Sequence, residues 1–161
     1  LWLSAKTEGE LQARAASAAA KIWPVEVAVA VVFLAASFFT TKLYDNYLAN
    51  PLLFAVILLT VAALFGIRVF LAKKAFFKAW FASALTIVGA TFYGVIGLFP
   101  NMFPSSMNPA WSLTAHNASS TQLTLTIMLV VVIIFVPIVL AYQAWAYNLF
   151  KTKVASEDLV Y

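Results

Sequence analysis

The side chains that could do chemistry are few: one histidine, six acidic residues and no cysteine among 161 residues. Without cysteine there is no disulfide scaffold, thiolate zinc site, iron–sulfur cluster or cysteine nucleophile. His116 stands beside Asn117 and Ser119. Alone it lacks the second histidine or placed methionine of a haem axial pair, and no acid lies near it to complete a nucleophile–base triad. Asn117-Ala118-Ser119 matches a glycosylation acceptor, a triplet that arises often by chance. Glu26 follows Pro24 by two residues. Proline suits the first position of a helix and an acid in the first turn meets the positive end of the helix dipole, so capping is expected there, with proton or partner contact as the alternative. Arg68, near the end of an apolar run, can snorkel to lipid headgroups.

The elements that must carry these residues follow from composition. Hydrophobic residues make up 64% and charged residues 10% of the chain, against about 45–50% and about 25% in soluble domains. A soluble globule of this size could not hide so much apolar surface, and lipid must cover the excess. Spanning a hydrocarbon core of about 30 Å takes ~20 apolar residues in a helix. Four runs qualify, at residues 23–41, 51–70, 77–99 and 123–150. They are continuous and lack the dyad alternation of a membrane barrel. The expected fold is therefore all-α, a polytopic transmembrane bundle of four spanning helices in residues 23–150, preceded by an amphipathic cytoplasmic helix within residues 1–22 and followed by a cytoplasmic tail at 151–161.

Charges and caps refine this layout. The net charge of +4 resides in residues that flank the apolar runs and form no patch interleaved with aromatics, which argues against nucleic acid. With sides alternating, nine of the ten basic residues (Lys6, Arg14, Lys21, Arg68, Lys73, Lys74, Lys78, Lys151 and Lys153) fall on one face, against Lys42 on the other. The positive-inside rule makes that face cytoplasmic, with both ends inside. Trp23, Trp80 and Trp145 then fall near the inner interface. Thr7-Glu8-Gly9-Glu10 fits a capping box opening the first helix, and Ser119 with Gln122 repeats it before the fourth span. Leu1-Trp2-Leu3 reads as the last turn of a preceding membrane helix, and position 1 is not Met, so the chain is expected to be the back part of something longer.

Within the spans, Ser37, Thr60, Thr86 and Thr91 are the central polar residues. Their hydroxyls can bond to their own helix backbone, and the middle of the spans holds no ionisable group to mark an ion path. Ala82, Thr86, Ala90 and Gly94 recur every four residues and place a small-residue stripe on the third span, where backbones can approach closely. Pro137 should kink the fourth. The connection at 100–121 is rich in Pro, Ser and Asn and carries Phe103 and Trp111, aromatic anchors suited to docking on protein or membrane.

Specific residues in that connection and the helix after it resemble subunit II of the cytochrome bd quinol oxidase family. They are Phe99-Pro100, Pro104-Ser105-Ser106, Ser112-Leu113-Thr114, the run from Asn117 through Ser119 and Gln122 to Thr124, and Pro137 followed by Tyr142, Ala144, Trp145 and Tyr147. Lys6-Thr7-Glu8-Gly9-Glu10-Leu11 is similar to the family's cytoplasmic link between helices. The resemblance implies a bacterial inner-membrane complex that oxidises ubiquinol or menaquinol, reduces dioxygen to water and contributes to the proton gradient. It implies haem b and haem d in the partner, subunit I, and none bound by this chain alone. The chain would be the C-terminal part of subunit II, in contact with subunit I, the N-terminal part of subunit II and membrane lipids, with room for a bound quinone or lipid along its helices. It implies no catalytic or metal-binding residue here. A transporter or channel module and a stand-alone membrane interaction protein are the alternatives.

Overall fold

A computed structural model describes residues 1–149; Phe150 and the expected tail at 151–161, with Lys151 and Lys153, lie outside the described residues. Two compact units divide the chain, one of Leu1–Phe99 and one that begins at Pro100. The first unit contains α1 (Trp2–Lys6), α2 (Gly9–Thr40), α3 (Asp45–Ala49), α4 (Phe54–Ala72, entered through a 3-10 turn at Pro51–Leu53) and α5 (Phe76–Leu98). The second contains a two-stranded ribbon, β1 (Asn101–Phe103) antiparallel to β2 (Leu113–Thr114), and α6 (Gln122–Leu149). Among the described residues, four helices, α2, α4 with its entry turn, α5 and α6, are long and apolar enough to cross a membrane. The chain is an all-α polytopic membrane protein.

Pro24 does not begin a helix. The expected division between an interfacial helix and a first span is absent from the backbone, because α2 runs unbroken through Pro24 for 32 residues. Proline removes one backbone bond, to the Ala20 carbonyl, and the Ala-rich stretch before it and the apolar stretch after it both favour helix. Glu26 is therefore an exposed residue of the helix interior, far from the N-terminal dipole that capping would require. Pro137 likewise lies inside the continuous α6.

Both expected capping boxes are replaced. Thr7 closes α1, and its hydroxyl donates back to the Leu3 carbonyl at 2.7 Å. The α1–α2 turn is held by Gln12, whose amide donates to the carbonyls of Ser4 (3.0 Å) and Thr7 (2.8 Å). The turn passes through Gly9 at φ +67°, a left-handed conformation that glycine adopts without steric cost. Before α6, Thr121 takes the role expected of Ser119: its oxygen accepts from the Thr124 N–H at 3.5 Å and meets the Thr124 hydroxyl at 3.0 Å.

The core of the first unit joins Leu64, Ile67 and Leu71 of α4 to Ala79 and Ala82 of α5, with Trp23, Val27 and Ala30 of α2 packed on it. The Trp23 indole N–H donates to the Leu64 carbonyl at 2.9 Å, so this tryptophan ties two helices together. The small-residue stripe is only half right. Ala82 is buried, but Ala90 is exposed and a Cβ on Gly94 would meet nothing. The close approaches fall at Gly89 and Gly97 instead. Successive i+4 steps drift about 40° around a helix, whereas alternating steps of three and four, as through Ala79, Ala82, Thr86, Gly89 and Tyr93, keep one seam facing its neighbour.

Candidate functional site

A group of buried tyrosine and serine side chains gathers where α2, α3 and α5 meet. Tyr47 is fully buried, and its hydroxyl donates to the Tyr93 carbonyl at 2.9 Å while the two rings stack at 5.6 Å. Ser37 donates to the Leu34 carbonyl at 3.0 Å, which leaves its oxygen to accept from the Tyr93 hydroxyl at 3.2 Å. Tyr44 also donates to the Leu34 carbonyl, at 3.2 Å. Asn46 caps the end of α5, its amide donating to Ile96 at 2.8 Å and also to the carbonyl of Phe99. A Cβ on Gly97 would sit 2.8 Å from the Leu43 carbonyl, so glycine is what lets this turn seat against α5.

This cluster is a latch. Each phenol has a hydrogen-bond partner, and burial, followed by the effect of Tyr44, pushes the Tyr47 phenol above its ordinary value. At neutral pH it stays protonated and holds its bond. Sequence reasoning passed over Tyr47 and Asn46; the available signal was the density of amide and phenol groups in Tyr44-Asp45-Asn46-Tyr47. The expectation for the mid-span hydroxyls holds: Thr60, Thr86 and Thr91 bond to the carbonyls of Val56, Ala82 and Ile87.

The second unit carries the two proposed docking residues on an ordered connection. Ser112, buried, accepts from the Ser105 N–H at 3.0 Å, and the Ser105 hydroxyl accepts from the N–H groups of Met107 and Asn108. Asn117 clamps the other side, accepting from the Thr114 N–H at 2.7 Å and donating to the Ser112 carbonyl at 3.0 Å. Its amide is thus engaged within the loop. Phe103 lies on β1 opposite Leu113, and Trp111 ends the 3-10 turn (Pro109–Trp111) just before β2. Both stay well exposed, at 69% and 66%. The polar groups of the segment bond to one another, and its large apolar groups point away.

His116 is exposed, with its backbone N–H on the Thr114 hydroxyl. As the sole histidine of the chain, on a polar turn, it does not fit a pair of axial haem ligands. Among the described residues, no three His, Cys, Asp or Glu side chains converge as a metal site would need.

The fold defines a polytopic helical membrane protein in which buried polar groups lock helices and turns together. The family model for cytochrome bd terminal oxidase subunit II matches residues 1–150, and the chain belongs to that family. It is 30% identical over 164 residues to the cytochrome bd ubiquinol oxidase subunit 2 of Bacillus subtilis, covering 98% of this chain and 46% of that protein. It is 38% identical over 106 residues to a probable cytochrome oxidase subunit 2 of Haemophilus influenzae, covering 65% of this chain and 28% of that protein. Against the cytochrome bd-I ubiquinol oxidase subunit 2 of Escherichia coli K12 it is 38% identical over 81 residues, covering 50% of this chain and 21% of that protein. The chain thus spans less than half the length of each of these relatives.

Proposed function

We propose that this chain is a scaffold portion, the C-terminal part, of subunit II in a bacterial inner-membrane quinol oxidase that reduces dioxygen to water. The family match over residues 1–150 carries this reading. In it the b and d haems belong to subunit I, and this chain's task is to seal and position that partner. Its own residues suit the task. The Tyr47–Tyr93–Ser37 latch and the Trp23–Leu64 tie hold three spans in register. The aromatic groups at 103 and 111 are offered outward for docking to another chain of the complex. A quinone or lipid along the helices fits the same picture, and both ends of the chain face the cytoplasm by the bias of its basic residues.

The test is purification from native membranes through a tag on this chain, followed by reduced-minus-oxidised spectroscopy. Bands of b and d haem that co-purify with quinol-dependent oxygen consumption are the expected result. A stably purified chain that brings down neither haem would overturn the reading.

A further inference from the structure

Between α4 and α5 runs a groove of about 580 Å³ that neither the latch nor the docking loop uses. Its floor is made of small residues, Ala62, Ala63 and Gly66 on α4 with Ala82 on α5, and Phe70, Phe77 and Phe81 form its walls. Positions 62, 66 and 70 recur at i+4, and Lys78, Phe81, Ala82 and Leu85 recur at i+3, i+4 and i+7, so each helix lends one continuous face. The groove follows the helices for ~12 Å. Lys78 is the charged residue in its lining, at the end nearest the α4–α5 turn.

The charge at that end is concentrated. Lys73 and Lys74 occupy the turn itself, and the sequence has no acidic residue between Asp45 and Glu157. The turn is a Schellman closure: the Ala75 N–H donates to the Phe70 carbonyl at 2.9 Å and the Lys74 N–H to the Leu71 carbonyl at 3.0 Å. Lys74 holds the left-handed position at φ 54°, where glycine would be unstrained. A cation thus occupies the left-handed position of the turn.

We propose that this groove seats one anionic phospholipid, its acyl chain along Gly66 and Ala82 between the phenylalanines and its phosphate on Lys78 and the turn lysines. Three lysines at one end attract an anionic headgroup more strongly than a neutral one, and the apolar trough ending in a cation complements a phosphodiester with a hydrocarbon tail. The inference uses the family reading only to place these helices in a bilayer.

Gly66 permits a clean test. A Cβ there would meet Phe70 at 3.7 Å and Ala82 at 3.9 Å, ordinary contact distances, so a larger side chain enters the groove without forcing the helices apart. The purified complex is reconstituted in nanodiscs of phosphatidylglycerol or of phosphatidylcholine, released, and weighed by native mass spectrometry. Wild type should retain a phosphatidylglycerol adduct and no phosphatidylcholine. Gly66→Leu and, separately, Lys78→Gln should each lower that retention at least tenfold, while Arg68→Gln, on the opposite side of α4, should leave it unchanged. Equal retention of both lipids, or indifference to both groove variants, would overturn the proposal. So would efficient cross-linking of a Phe81→Cys variant to another protein segment, which would show a polypeptide in the groove. Lys78→Gln leaves helix packing alone, so a folding failure of Gly66→Leu does not remove the test. Haem spectra of the same samples report separately on the oxidase reading.

Discussion

Gly89 of α5 faces Thr60 of α4 so closely that a Cβ on the glycine would lie 2.0 Å from the threonine Oγ1 and 2.9 Å from its Cβ. The threonine has little room to yield, because its side chain is short and branched and its hydroxyl bonds to the Val56 carbonyl at 2.7 Å. Two spanning helices meet there through the absence of a side chain.

Gly89→Ala should accordingly separate α4 from α5. Overpacking of this kind costs about 1–3 kcal/mol. The expected result is a lower thermal midpoint and lower yield of the membrane-extracted complex, with partial recovery when Thr60→Ala is added. A single Gly89→Ala variant as stable as wild type would refute the contact.

Tyr47→Phe removes the hydroxyl that ties α3 to the Tyr93 carbonyl and should destabilise the protein by about 1 kcal/mol. The pH dependence has a definite sign. Burial raises the Tyr47 phenol, so folding favours its protonated form. That contribution is complete below the ordinary tyrosine value near 10 and fades as pH rises through the higher folded value. Alkaline unfolding curves of wild type and Tyr47→Phe should therefore converge above pH ~10, and parallel curves would contradict the assignment.

Cysteines placed at Asp45 and Lys74, exposed residues on either side of α4, should react with an impermeant maleimide from opposite faces of the membrane. By the basic-residue bias, position 74 should label from the cytoplasmic side. Labelling of both from the same side would sink the arrangement.

Replacing Phe103 and Trp111 together with Ala should reduce recovery of the assembled complex by an amount corresponding to ~2 kcal/mol or more, as for aromatic hot spots. Turnover per haem in what does assemble should remain near normal. Normal recovery with strongly reduced turnover would instead place this loop at a reaction site.

His116→Ala should leave the haem spectrum of the complex intact. Loss of one haem signal would make this exposed histidine a ligand after all.

Composition and run length alone determined the membrane class and the four spans, because burial of a helix in hydrocarbon is decided by length and polarity, which are local properties of the chain. The self-bonding of Thr60, Thr86 and Thr91 was legible for the same reason, since donor and acceptor lie four residues apart. The helix ends were not. Thr7 and Ser119 each have the right local pattern, yet Thr7 serves the preceding helix and Thr121 displaces Ser119, a competition among neighbours that a motif does not rank. Pro24 read as a start because its effect depends on whether the flanking helix is held, and the Trp23–Leu64 bond is made to a residue 41 positions away. The contacts of Gly89, Gly97 and Tyr47 could not be assigned for the same physical reason: glycine and tyrosine acquire their roles from what another helix or turn places against them. Only the packing of α4 and of the Leu43 turn on α5 made the first two close contacts, and the packing of α3 on α5 made the third a buried latch.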